Sequence, residues 1–554
     1  MLKRSTLILP GMAVLLMMTG CTGQEENPYK EARVINVYDT QSEYIGVQGG
    51  WYGKILQDEF NVQLNFLDTE DPESLGQADL LVCGGGSPGT EELMAEFELL
   101  NLEDYLEEGV EILDYREGIE YWNEDLAEEG IYILPTQVSR LSEITPSEEN
   151  VPRYGLYLNW EAYEEAGMPD IRDMDQLLDV MEQMKKSGQQ GLVLCNDENL
   201  DLLDHITYLM GTQGYERDGL IVWKEEGRES DGLLEEDSGY VETLLWLREA
   251  YSRGLLAAGC EDMTYEEMMD YYDRGDALLA IWPEVELKGS ESVAQAAVSG
   301  SRMDESDVPG NGTGALGKVS CISGYELAPI EDIKVVSYGC SSLGNTDVYV
   351  AVMADTEDPQ RVVDLISWLY STEGIMYSGT DTALKAAGPQ GLTWEVEDGN
   401  PQLTEFGHQV LTGLLTDAAD VAVPEEWGGG TWQEGSCKLS FQPVVSVEVS
   451  PSGFTYNYTL WETTIEQYSD ASPSWQEITE SCTPMEYLIR NDLLSVIPGY
   501  VESNGEENPE NVDKYTACRE IIVDYSWKII YSQTKEECES LLAEMYRKAT
   551  EAGY

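Results

Sequence analysis

The chain has 554 residues, 42% of them hydrophobic and 25% charged, with 106 Asp and Glu against 31 Lys and Arg. The hydrophobic share suffices to bury substantial cores, which excludes a disordered chain, and the length suggests about two to four domains. A formal net charge of -75 makes nucleic acid or an anionic lipid surface an unfavourable partner; no Lys/Arg run offsets it, and like-charge repulsion favours a monomer.

Residues 1–21 place the basic pair Lys3 and Arg4 before a mainly apolar stretch, 5–18, interrupted by Pro10 and Gly11. That stretch is too short for a membrane span and has the shape of an export signal. It ends at Met18-Thr19-Gly20-Cys21, which resembles the lipobox of bacterial lipoproteins, although that motif prefers Leu where Met18 stands. The resemblance implies diacylglyceryl transfer to Cys21 and a membrane-tethered, extracellular protein; the alternative is an ordinary secretory signal that happens to end near a cysteine. Residues 22–31 read as a polar tether.

Strand patterns follow at 34–39 (VINVYD), 62–68 and 78–83 (ADLLVC), with a helix expected over 51–60 and another after Gly89. Alternation of this kind argues a mainly parallel α/β sheet with functional loops at the strand C-termini. A strand broken by Pro135 is expected over 131–139, and amphipathic helices over 172–187 and 240–256. ALLAIW (277–282) reads as a strand, 285–324 as a Gly/Ser/Asp-rich connection, 324–330 and 348–354 as strands, and 358–374 as a helix. Beyond 380 helices and loops dominate, with some β-structure suggested by VVSVEVSPSGFTYNYT (444–459); there is no internal repeat.

Setting Cys21 aside leaves nine cysteines, thinly spread and without a C-x-x-C pair, beside only two histidines, His205 and His408. This is not the pattern of a disulfide framework or a zinc site, and most of these thiols are expected to be small buried residues. Bridges Cys321–Cys340, or Cys482 to Cys518 or Cys538, stay open. Tyr and Trp number 33 and 13 against six Phe. Such side chains suit stacking on sugar rings, and equally an ordinary core.

Gly85-Gly86-Ser87-Pro88-Gly89 is a literal G-x-S-x-G between a strand and a helix. A hydrolase of that type takes an oxyanion donor from the backbone N–H after the serine, and Pro88 has none. Losing that donor costs about 3 kcal/mol of transition-state stabilisation, so the loop reads as a ligand-binding or plain turn. It is not a phosphate cradle, since no Gly-Lys-Ser/Thr follows. Asp197-Glu198-Asn199-Leu200-Asp201 opens like a calcium loop, but Leu202 stands where the turn glycine belongs, which favours a solvated acidic loop. A glycosidase needs only two well-placed carboxylates; among 106 acidic residues such a pair is neither visible nor excluded.

Three groups of segments, in this order, resemble the extracellular solute-binding proteins of bacterial ABC importers, in the large lipoprotein subgroup associated with carbohydrate in Gram-positive bacteria. They are IYILP with GLYLNWEAYEEAGMPDIRDMDQLLDVMEQMK, LLWLREAYSRGLL with YEEMMDYYDRGDALLAIWPE, and DLISWLYSTEGIMYSGTD with GPQGLTWEVEDGNPQLTEFG, spread over residues 34–420. The resemblance implies an α/β fold of the periplasmic-binding-protein-like type II: two lobes joined by hinge strands around a ligand cleft. It implies crossings near 135–136, 328–329 and 378–385. Lobe 1 would hold 32–135 plus 329–378, and lobe 2 would hold 139–327 plus 385–554. It also implies a non-enzymatic protein capturing an oligosaccharide for separate permease subunits; the net charge favours a neutral one. No cofactor or metal-ligand set is expected, whether a calcium ion is bound stays open, and capture of a peptide or another small solute and a glycan hydrolase are the alternatives. Ligand contacts are expected from Gln48, Trp51, Tyr52, Gly85, Gly86, Ser87, Gln137, Trp282, Tyr338 and Trp394, with Thr136 and Ser139 at the first crossing. Trp246 and Trp368 lie at helical spacing with apolar neighbours and are expected in the core.

Overall fold

A computed structural model describes residues 28–554 apart from 85–89, 107, 125, 127–128, 198–199, 225–229, 282–322, 413–420 and 500–508. The expectations for Cys21, Gly85, Gly86, Ser87, Trp282 and Cys321 therefore lie outside the described residues.

Six strands form the first sheet, in the spatial order Gly46–Val47, Val62–Phe66, Arg33–Asp39, Leu80–Gly84, Asn345–Val352 and Ile133–Thr136. Arg33–Asp39 runs parallel to both Val62–Phe66 and Leu80–Gly84, and Asn345–Val352 is antiparallel to both its neighbours. Successive residues of a strand face opposite ways, and the packing obeys this. Leu80, Val82, Val350 and Val352 join Ile35 and Val37 in one core, while Leu81, Cys83, Tyr349 and Ala351 join a smaller cluster across the sheet.

The second sheet has the order Tyr325–Leu327, Tyr157–Asn159, Ala277–Ala280, Gln190–Leu192. Helices Met174–Met184, Leu202–Gly211, Gly239–Ser252, Pro509–Ile530 and Lys535–Ala552 contribute to its core. Their starts are read from local chemistry: Asp173, Asp201, Ser238 and Thr534 each accept hydrogen bonds from N–H groups of the first turn. Trp246 is 8% exposed in this core, and Trp368 packs against the first. The two cores share no residue. The fold is a mixed α/β arrangement of two lobes.

The lobe boundaries differ from those expected. Ile330, Ile333, Val335 and Val336 lie in the second core, so the chain returns to the first lobe near 339–344 rather than at 328–329. Leu384 through Trp461 supply residues of the first core, whereas Trp475 onward belong to the second. The third crossing thus falls between 461 and 475 rather than at 378–385. Nothing in the order of polar and apolar residues marks this, because the deciding contacts join positions nearly 400 apart.

All eight described cysteines are free; seven are buried and Cys482 is half-buried. The possible bridges from Cys482 to Cys518 or Cys538 are not made. The segment 444–459 forms the isolated pairs Val138–Val444, Ala386–Asn457 and Val449–Thr455 rather than a strand. Asp201, at the end of the calcium-like stretch, caps helix Leu202–Gly211 and takes Arg519 Nε at 3.0 Å as its cation.

Candidate functional site at the inter-lobe edge

Leu80–Gly84 and Val62–Phe66 flank Arg33–Asp39 on opposite sides, so strand order reverses beside Arg33–Asp39. In open α/β sheets such a reversal leaves a crevice at the strand C-termini, where ligands bind. Here that edge also emits the first crossing, after Thr136, and receives the second, at Asn345, so the second lobe stands beyond it.

The edge is polar. Thr40, Gln41 and Ser42 follow the central strand and are half-buried. Thr40 Oγ1 accepts the Gly84 N–H at 2.9 Å, and Gln41 Nε2 donates to Thr40 Oγ1 at 3.2 Å. A Cβ on Gly84 would meet Gln41 Nε2 at 2.7 Å, so glycine lets the two strand ends approach. Thr136 Oγ1 donates to the Val348 carbonyl at 2.8 Å, next to half-buried Asn345 and Thr346 and exposed Asp347. Beneath lies Asp39, 2% exposed, whose carboxylate accepts from Gln41 N at 3.0 Å and Ser440 N at 2.8 Å. Burial raises this carboxyl to about 7 despite those donors.

The crossings are laced together. Pro146 pairs with Gly339, Cys340 N donates to the Thr145 carbonyl at 2.8 Å, and Gly499 N donates to the Glu143 carbonyl at 3.0 Å. A Cβ on Gly339 would lie 1.6 Å from the Glu143 oxygen, and one on Gly499 would lie 2.2 Å from the Cys340 oxygen. Only glycine allows three backbones this close. At the start of the first crossing, Glu448, 1% exposed, accepts from Ser139 Oγ at 2.6 Å, Arg140 N at 3.0 Å and Arg140 Nε at 3.2 Å.

Where the crossings enter the second lobe, the Arg153 guanidinium lies 4.8 Å from the Tyr338 ring centroid and 5.5 Å from that of Tyr154. Burial raises the nearby carboxyls of Glu148 and Glu216 and the Tyr338 phenol. Tyr154 is buried, so half-buried Tyr338 and Arg153 are the members of this group that keep some exposed surface.

The expected contact residues divide sharply. Gln137 is exposed on the first crossing, its N–H bonded to the Gln442 carbonyl at 2.9 Å and its φ at 52°. Half-buried Tyr338 sits on the second crossing. Gln48, Trp51, Tyr52 and Trp394 do not line the edge. Gln48 is 3% exposed; its amide donates to the Ser436 carbonyl at 2.9 Å and accepts from Lys438 N at 3.0 Å. Trp51 and Tyr52 are 0% exposed, and Trp394 donates to the Gly388 carbonyl at 2.9 Å within the same core. Burial of this depth leaves no face for a ligand. Thr40, Gln41 and Asn345 stand at this edge without being among the expected residues; the end of the VINVYD strand is the signal for the first two, and the start of the VYVAVMA strand for Asn345.

A cavity of about 240 Å³ bordered by Lys54, Glu59, Tyr377 and Trp427 is lined by first-lobe residues alone. Among the described residues no group of three or more His, Cys, Asp or Glu could hold a metal ion, and no helix is long and apolar enough to cross a membrane.

No protein-family model matches the chain. No curated protein matches it either. Solved structures similar to it over nearly its whole length are extracellular solute-binding proteins of ABC transporters. One is the S. pneumoniae ABC-transporter substrate-binding protein FusA in complex with kestose: 11% identity, 94% of this chain and 96% of that one covered, TM-score 0.46. An extracellular solute-binding protein from Bifidobacterium longum subsp. infantis shows 11% identity, 95% and 98% coverage and a TM-score of 0.42. A solute-binding protein from Bifidobacterium longum infantis that binds HMO shows 12% identity, 94% and 97% coverage and a TM-score of 0.42.

Proposed function

We propose that this protein is a non-enzymatic receptor that captures a neutral oligosaccharide between its lobes and hands it to the permease subunits of an ABC importer. In this reading it is held at the outer face of the cell membrane by acyl chains on Cys21. The observation that carries it is the polar edge of half-buried Thr40, Gln41 and Asn345, placed where the chain twice passes between lobes. Hydroxyl and amide groups both donate and accept, as sugar hydroxyls do, while the surrounding negative field disfavours an acidic glycan. Ligand bridging both lobes favours the closed arrangement because it makes all its contacts only there. The sequence resemblance to carbohydrate-importer receptors supports the same reading.

Calorimetric titration with neutral oligosaccharides, uronate oligomers and peptides tests it. Saturable binding of a neutral glycan, weakened at least tenfold by Gln41→Ala without loss of folding, is the expected result. Binding of peptides alone would replace the ligand class. Consumption of the glycan would make the protein a hydrolase.

A further inference from the structure

Segment 436–440 is tied to the first sheet by three side chains. Gln48 Nε2 donates to the Ser436 carbonyl at 2.9 Å, and its Oε1 accepts from Lys438 N at 3.0 Å. Ser42 Oγ donates to the Lys438 carbonyl at 3.3 Å. The third tie is Asp39, the last residue of strand Arg33–Asp39. Its Oδ1 accepts from Gln41 N at 3.0 Å and its Oδ2 from Ser440 N at 2.8 Å.

Both partners of Asp39 are donors, and a carboxylate meets both because it carries only acceptors. Asparagine, of the same shape, would turn an N–H toward one of them. At 2% exposure the side chain is out of reach of bulk water, so a bond lost here is not replaced. Above it, Gln41 is half-buried, and its side-chain amide donates to Thr40 Oγ1 at 3.2 Å. Asp39 thus fixes the backbone of Gln41 while Thr40 fixes its side chain. Just beyond Ser440, the Gln442 carbonyl accepts the Gln137 N–H at 2.9 Å and the Pro443 carbonyl accepts the Val138 N–H at 3.1 Å. The segment tied to Gln41 through Asp39 therefore continues as the support of the first crossing.

We propose that Asp39 is a positioning residue of the candidate site: its two oxygens hold the Gln41 backbone against segment 436–440, so that the Gln41 amide is presented to a bound sugar. This role rests on the reading of the protein as a receptor for a neutral oligosaccharide. Asp39 does not touch the sugar; it acts through Gln41.

Calorimetric titration of the full chain with neutral oligosaccharides of glucose, mannose, xylose and fructose, repeated from about pH 5 to about pH 8, tests it. These sugars carry no group that titrates there, whereas burial holds the Asp39 carboxyl up to about 7. Among the described residues, the ionisable groups on the elements packed beside it are Cys83 and Lys438. Burial pushes the Cys83 thiol up to about 12, which keeps it neutral, and the Lys438 ammonium donates to the Gln433 carbonyl at 2.8 Å and Ser436 Oγ at 3.2 Å. In the second lobe burial also raises Glu148 and Glu216, and Asp39→Asn separates their titration from that of Asp39.

Affinity for the sugar that binds should rise about fivefold or more across this range as Asp39 ionises, and Asp39→Asn should abolish the rise. Asp39→Asn and Gln41→Ala should be non-additive, each costing less affinity when the other is present. If Asp39→Asn does not fold, Gln41→Ala decides alone: its residual affinity should be nearly independent of pH. A flat wild-type profile, a rise that persists in either variant, or additive losses would overturn the role of Asp39 and leave sugar capture standing. Silence of every sugar across the range would overturn capture itself, and this role with it.

Discussion

Trp51 and Trp432, 381 residues apart, stack with ring centroids 4.6 Å apart and planes 12° from parallel, and the Trp51 indole N–H donates to the Trp432 carbonyl at 3.1 Å. This pair closes the late segment 384–461 onto the first lobe. Trp51→Ala should therefore cost about 3–5 kcal/mol of stability, as expected for a buried aromatic. Urea unfolding of the first lobe measures it. A variant that lost ligand affinity with unchanged stability would instead make Trp51 a binding residue.

Gly339→Ala should be the most damaging single-methyl addition at the crossings, because its Cβ would lie 1.6 Å from the Glu143 oxygen. A fall in melting temperature of several degrees is expected, on the order of 2 kcal/mol or more. Gly76→Ala is the matched control: its φ is outside the left-handed region, it is exposed and nothing lies within 4 Å of the added carbon, so it should be nearly silent. Equal effects at the two sites would contradict the close approach of the crossings.

Glu448→Ala strips Ser139 and Arg140 of a shared buried acceptor at the start of the first crossing. Removing one partner of a buried charged network costs more than the network contributes, and because Arg140 is 26% exposed the expected loss is about 2–3 kcal/mol. Differential scanning calorimetry reads it, and Glu448→Gln, which keeps an acceptor, should recover part of the loss.

Asp39 links stability to pH at the candidate site. Its folded pKa, about 7, lies above the unfolded value near 3.9, so the folded state binds more protons between them. Its contribution to stability is present below about pH 4 and is lost as pH rises to about 7. The stability of Asp39→Asn relative to the wild type should accordingly improve from pH 4 to pH 7. A difference that is flat across that window would show that the carboxyl is not held neutral.

Much of the fold is legible in short-range pattern. The expected strand at 78–83 forms as Leu80–Gly84, and the expected helix at 240–256 forms as Gly239–Ser252, capped by Ser238. The run at 358–374 divides, because a turn after Leu369 precedes a new cap, Ser371. The site was less legible. A buried Trp and a ligand-facing Trp carry the same letter, and what buries Trp51 is Trp432, far along the chain. Likewise Tyr338 gained its place at the crossing from Gly339 and Pro146, a pairing across nearly 200 residues.

Small-angle scattering of the full ectodomain, with and without a saturating neutral oligosaccharide found by calorimetry, tests the central claim most directly. Capture between lobes predicts a smaller radius of gyration on binding, an effect reduced in Gln41→Ala at the same sugar concentration. A saturated protein whose scattering is unchanged would contradict ligand-driven closure of the two lobes.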